Sequence, residues 1–213
     1  MIRFILPALI ASVTGLPVNN AFAHNPTDTL HDWAQARVEA NDAGAIVVAR
    51  IDGDTVSIRG YGRRQVSDDT TPDAHTRFQI GSITKVFTNL LLAERVAADA
   101  VRYDQPIGNL LPDAFAPANP AVMNITLMQL ATHGSGLPRL PPNLAPINHA
   151  DPYAGFDDAA LLAGMKATRA SQPLGRHYGY SNFGTGVLGH LLSRQADTDY
   201  YALVDTQVVA PLK

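Results

Sequence analysis

From Ile83 to Val96 the chain carries apolar residues on almost every face of a helix. Ile83, Val86, Phe87, Leu90 and Leu91 recur at the helical period, and Leu92, Ala93 and Val96 widen the stripe until little is left for water. Such a helix belongs in the middle of a domain, so the fold has to wrap other elements around it. At its head stands Ser82-Ile83-Thr84-Lys85. If the helix opens at Ser82, positions i and i+3 share a face and the hydroxyl and amine can meet. The helix start also offers unsatisfied N–H groups and a partial positive charge, which favour an anion on the Ser82 oxygen or on a bound carbonyl. A lysine in the first turn of a central helix is partly desolvated, which lowers its pKa and suits a proton acceptor. The plainer use of the same residues is Ser82 as an N-cap and Lys85 as a solvated side chain. With eight Ser and three Lys in the chain, S-x-x-K is expected by chance ~0.1 times, so the tetrapeptide needs a second element.

A hydrophobic fraction of 46% over 213 residues supplies a sizeable core, and a formal net charge of -3 argues against a nucleic-acid partner. Met1-Ile2-Arg3, an apolar stretch from Phe4 to Val13 and Ala21-Phe22-Ala23 before His24 read as a secretory signal peptide over residues 1–23. The stretch is too short to span a bilayer. The mature chain, 24–213, is therefore expected to be exported to the periplasm or beyond, with no stable membrane anchor. The absence of cysteine removes thiol catalysis, thiolate metal sites and disulfides.

Thr27–Ala40 reads as a helix capped by Thr27 or Asp28, with Leu30, Trp33, Ala34 and Val38 on its apolar side. Gly44–Ile51 and Thr55–Tyr61 read as two strands joined through Asp52-Gly53-Asp54. A polar stretch then leads to a short strand, Arg77–Gly81, directly before Ser82. A short turn or helix is expected at Asp104–Ile107, and helices at Ile125–His133, Asp157–Thr168, Ser181–Gln195 and Asp199–Val209. Between Gly134 and Pro152 the many Gly and Pro residues exclude regular structure. Arg139, Asn143 and Asn148 in that loop are candidates to touch a substrate, if it forms a wall of a site.

The second chemical element is Tyr180-Ser181-Asn182, where a turn enters a helix. One use is structural, with Ser181 as N-cap and its neighbours as turn residues. The other is chemical: a phenol beside a lysine ammonium has its anionic form stabilised, so Tyr180 can pass protons between Ser82 and a leaving group. Asn182 can hold a substrate amide.

Together the two elements resemble the beta-lactamase-related, penicillin-recognising serine hydrolases, which include class C beta-lactamases, D-alanyl-D-alanine carboxypeptidases and related esterases. S-x-x-K matches at Ser82–Lys85 and Y-[SA]-N at Tyr180–Asn182. Phe78–Gly81, Asp104–Ile107, Ile125–His133 and Ser135–Pro138 resemble the family text around them, and the likeness runs from about Gly44 to Leu212. The resemblance implies an α/β (α+β) fold of the beta-lactamase/transpeptidase-like kind, an antiparallel sheet flanked by helices. It also implies Ser82 as nucleophile, Lys85 and Tyr180 as proton carriers and Asn182 as a substrate-binding residue. The partner would be a small-molecule beta-lactam or a cell-wall peptide, and the chemistry needs no cofactor.

Two departures stand out. His133-Gly134-Ser135-Gly136 replaces the family's H-T-S-G, with a small expected effect. No K-T-G or H-x-G motif follows Asn182, although in these enzymes such a motif supplies the second oxyanion donor. His177-Tyr178-Gly179 spells H-x-G but immediately precedes Tyr180. The chain thus reads as an N-terminal portion with the C-terminal strands missing, its hairpin short of partners and the Ser82 helix short of cover. On that reading it is expected to be weakly active or inactive by itself. The other classes are weaker: no serine lies in G-x-S-x-G, and the seven histidines lack metal-ligand spacing and read as surface or loop residues. A binding protein that is acylated without turnover is the remaining alternative.

Overall fold

The computed structural model describes residues 26–41, 44–65, 67, 69–146, 148, 151–168, 175 and 177–212. The expected signal peptide, residues 1–23, lies outside them. The chain divides into two compact units after Gln79.

In the first unit a helix, α1 (Pro26–Glu39), precedes a hairpin of β1 (Ala45–Asp52) and β2 (Thr55–Gly62). The side chains of Thr27 and Asp28, the expected caps, lie outside the described residues. The strands pair antiparallel from Ala45↔Gly62 to Asp52↔Thr55. Gly53 adopts φ +57°, the left-handed geometry that a two-residue hairpin loop demands. A two-stranded ribbon is marginal by itself, and here α1 covers one face: Ala34 packs with Val48 and Tyr61, flanked by Val38 and Ile46. Trp33 was expected on the apolar side, but it is half exposed beneath the Arg37 guanidinium, 5.6 Å from its ring centroid. The expected strand at Arg77–Gly81 does not form. Residues 77–80 run as irregular chain with no ladder partner among the described residues, and Gly81 opens a 3₁₀ turn.

The second unit is helical. The 3₁₀ turn Gly81–Ile83 leads into α2 (Thr84–Ala97), and α3 (Leu127–Ala131), α4 (Asp158–Ala167), α5 (Asn182–Gln195) and α6 (Tyr200–Val204) follow. Each of the last four starts on a residue whose side chain accepts a hydrogen bond from a backbone N–H: Thr126, Asp157, Ser181 and Asp199. These caps satisfy helix-end donors and fix where each helix begins. After Val204 the expected helix loosens into a π turn, Asp205–Val209. The described residues between Gly134 and Pro152 contain no helix or strand.

The core of this unit centres on α5, whose Phe183, Val187, Leu188, Leu191 and Leu192 are buried against Leu91, Leu92, Leu127, Leu130 and Met165. That corrects the expectation for α2. Only Thr88, Leu91 and Leu92 of α2 are buried. Ile83, Val86 and Leu90 remain 59%, 63% and 40% exposed. Apolar text shows which surface needs cover; neighbouring elements decide whether it gets any. No helix among the described residues is long and apolar enough to cross a membrane.

Candidate active site

Ser82 does not cap α2. It sits inside the 3₁₀ turn, and the cap position falls to Ile83, which makes no side-chain capping bond. Its hydroxyl is left to others. Ser82 Oγ lies 2.6 Å from the Tyr180 Oη and accepts a hydrogen bond from Lys85 Nζ at 3.2 Å. One helical turn brings Lys85 beneath Ser82 as the spacing requires. Lys85 is half-buried, and its Nζ lies 4.9 Å from the centroid of the Tyr180 ring.

Tyr180 arrives from the turn that opens α5. Ser181 is the cap of that helix: its Oγ accepts from the Gly184 N–H at 2.7 Å and donates to the Pro138 carbonyl at 2.7 Å. The Arg139 carbonyl accepts from the Asn182 and Phe183 N–H groups at 3.0 and 3.2 Å. The Pro-rich loop thus fastens the turn. The Tyr180 phenol is held below its ordinary range, first by hydrogen bonding from Lys85, then by the Ser82 hydroxyl, with the charges of Lys85 and Arg139 adding to the effect. The Arg139 guanidinium stands 5.2 Å from the Tyr180 ring centroid.

Asn182 lines, with Ser82, Lys85, Pro141, Tyr153 and Phe156, a cavity of about 410 Å³. Its Oδ1 is buried and has no hydrogen-bond partner among the described residues. An orphaned amide oxygen in a cavity wall is an unfilled acceptor that an amide N–H of a bound molecule could meet. The four expected site residues are therefore brought together. Of the loop candidates, Arg139 reaches the group; Asn143 is used structurally, donating from Nδ2 to the Ala160 carbonyl at 2.9 Å, and Asn148 is exposed. The decoy His177–Gly179 runs as irregular chain into the turn.

One site neighbour was not expected. His133, read from sequence as a surface or loop residue, lies against Tyr180 with ring centroids 4.6 Å apart. It is the left-handed C′ residue that ends α3, at φ +60°. Gly134 N–H bonds back to the Gln129 carbonyl at 2.8 Å and His133 N–H to Leu130 at 3.4 Å, the paired bonds of a Schellman ending. Its neighbour Gly134, where the family has Thr, has room: an added Cβ would find nothing nearer than the Gly175 Cα at 3.7 Å. Among the described residues no three His, Asp or Glu side chains gather as metal ligands.

With this geometry in place, comparison with known proteins is direct. A family model described as "Beta-lactamase" matches residues 30–213. The chain belongs to the beta-lactamase family. It is 24% identical over 186 residues to the D-alanyl-D-alanine-carboxypeptidase/endopeptidase AmpH of Escherichia coli K12, covering 87% of this chain and 48% of that protein. It is 26% identical over 144 residues to a beta-lactamase of Providencia stuartii, covering 68% of this chain and 34% of the relative. Among solved structures it resembles the beta-lactamase/D-alanine carboxypeptidase of Yersinia pestis, with TM-score 0.71, 26% identity and coverage of 87% and 53%. The class C beta lactamase of Rhodobacter sphaeroides, at TM-score 0.68, 24% identity and coverage of 87% and 49%, shares the fold. The fold is thus beta-lactamase/transpeptidase-like, and the chain spans about half or less of these relatives' lengths.

Proposed function

We propose that the chain carries the nucleophile half of a beta-lactamase-family serine hydrolase that works through an acyl-enzyme, with a beta-lactam as the favoured substrate. The observation that carries this reading is Ser82 Oγ held between the Tyr180 phenol at 2.6 Å and the Lys85 ammonium at 3.2 Å. Ser82 attacks the carbonyl carbon, and its proton passes to the Tyr180–Lys85 pair, which returns it to the leaving nitrogen or oxygen. The lowered Tyr180 phenol supports that duty, because the neighbouring cations raise the share present as phenolate near neutral pH, the form that can take the Ser82 proton. The Ser82 N–H supplies one oxyanion donor, and Asn182 binds the amide of the substrate. Water then releases the acyl group.

The relationship to AmpH supports a second reading, a D-alanyl-D-alanine peptidase acting on cell-wall peptide. The two share the acylation step and differ in how fast water attacks the acyl-enzyme. The amino-terminal pattern of residues 1–23 favours export to the periplasm.

A fluorescent penicillin tests the nucleophile. The purified chain should be labelled stoichiometrically at Ser82, as located by peptide mass spectrometry. Ser82→Ala should remove the label. Labelling at another residue, or equal labelling of the variant, would overturn the assignment. A chromogenic cephalosporin and a D-alanyl-D-alanine peptide, assayed side by side, then separate the two substrate classes.

A further inference from the structure

The two residues that flank Tyr180 are both tied to His133. The Gly179 N–H donates to the His133 carbonyl at 2.9 Å, and the Ser181 N–H donates to His133 Nδ1 at 3.3 Å. Between those bonds the imidazole face lies against the phenol ring at 4.6 Å and 43°, and the Tyr178 ring meets it edge-on at 5.7 Å. We propose that His133 is the positioning residue of Tyr180: its backbone carbonyl holds one side of the turn and its neutral imidazole the other, setting the phenol over Ser82, and protonation releases the imidazole side of the clasp. This deepens the reading above and rests on it for the role of Tyr180.

The backbone tolerates histidine here without requiring it: Asp99 and Asp197 hold the same left-handed C′ position after α2 and α5, at φ +54° and +52°, so the imidazole is explained by what it contacts. The left-handed C′ position of a helix is most often glycine, which adopts positive φ without a Cβ penalty. Here a histidine occupies it at φ +60°. A residue that only ended α3 would have no need of an imidazole.

Chemistry sets the protonation state. Nδ1 accepts from the Ser181 N–H, so the neutral ring carries its proton on Nε2. A second proton on Nδ1 would remove the acceptor and place a cation close to Lys85. The charged and titratable groups facing the ring are Lys85 from α2 and the phenols of Tyr178 and Tyr180 from the segment before α5, with Arg139 on the Tyr180 ring from the Pro-rich loop. Burial, and then the Lys85 charge, hold His133 below its ordinary value, which keeps the clasp closed at neutral pH.

His133→Gly separates a positioning role from a structural one, because glycine suits the C′ backbone better than histidine. Thermal melting of the variant should be no lower than that of the parent chain. ¹³Cζ-tyrosine labelling, with the Tyr180 resonance assigned through Tyr180→Phe, reads the phenol directly. In the parent chain that resonance should shift as His133 titrates in the acid range; in His133→Gly the acid shift should vanish and the phenol titration should move. Labelling of Ser82 by fluorescent penicillin should slow roughly ten- to a hundredfold at neutral pH. Its acid limb, which tracks His133, should disappear. His133→Asn, which tolerates positive φ and keeps an acceptor, should restore part of the rate without the acid limb. A His133→Gly chain with unchanged Tyr180 titration and unchanged labelling would overturn the proposal. If no chain is labelled at any pH, the nucleophile reading falls, while the Tyr180 resonance still decides whether His133 controls the phenol.

Discussion

The two longest helices of the second unit, α2 and α5, each have 14 residues, and each begins just past one of the paired side chains, α2 after Ser82 and α5 after Tyr180. By composition α2 should be the deeper, with Val86, Phe87, Leu90, Leu91, Leu92 and Val96 against the Phe, Val and three Leu of α5. Yet nine positions of α5 are buried and only three of α2. The difference lies in the small residues. Gly184 and Gly189 let neighbouring elements approach α5: a Cβ on Gly184 would lie 3.3 Å from the Ser135 Oγ, and one on Gly189 3.1 Å from the Tyr200 ring. Bulky apolar side chains ask for cover, whereas small ones let the covering elements come close. The helix that follows Ser82 is thus the more open one, and the helix that follows Tyr180 and opens on Asn182 is the fixed frame.

That contrast can be broken by substitution. Leu188→Ala, at a fully buried α5 position, should cost ~2–5 kcal/mol, read by urea unfolding. A loss under about 1 kcal/mol would mean that α5 is not the frame. Gly189→Ala comes next: the added methyl presses on Tyr200, and overpacking of ~1–3 kcal/mol should outweigh the gain of about 1 kcal/mol in helix propensity. A stabilised variant would show that the contact yields freely.

A smaller effect sharpens the comparison at one end of α5. The His133 pKa in the folded chain is below its ordinary 6.5, so near and below that pH the unfolded chain binds more protons than the native one. The stability it contributes is full above about pH 6.5 and is lost as pH falls through the folded value. Amide protection at Ser181, whose N–H bonds to His133 Nδ1, should therefore drop on acidification ahead of that at Leu91 in α2. Hydrogen exchange corrected for intrinsic rates would show it, and parallel loss in both places would remove the distinction. The smallest effect belongs to the open face of α2, where Leu90→Ala should change stability by about 0.5 kcal/mol or less. A loss like that of Leu188→Ala would mean the face is covered in solution.

Much of the fold could be read from the chain because it is written locally. Hairpin boundaries followed from Gly53 and the β-rich runs around it, and helix starts from Asp157, Ser181 and Asp199, each a residue whose side chain satisfies a backbone donor nearby; α3, expected from Ile125, is capped one residue later by Thr126. Arg77–Gly81 misled because strand-like text forms a strand only when another strand offers its hydrogen bonds. Of the site, Ser82 and Lys85 were legible from an i, i+3 spacing, and Tyr180 and Asn182 from the family text. His133 read only as a surface or loop residue, although it closes the Ile125–His133 run that resembles the family. Its one local signal was a non-glycine at the end of the α3 pattern just where a left-handed residue was due.

The sequence by itself determined what is local: the helix turn that sets Lys85 against Ser82, the caps, the hairpin and the order of the motifs. Only the tertiary structure decided that a tyrosine 98 positions away would meet that serine, that His133 would hold the turn around it, and that α5 rather than α2 would be enclosed. Dihedral preferences and capping act within a few residues, so they can be read along the chain. Burial and the meeting of distant side chains depend on which surfaces close over one another, and single-residue preferences do not encode that.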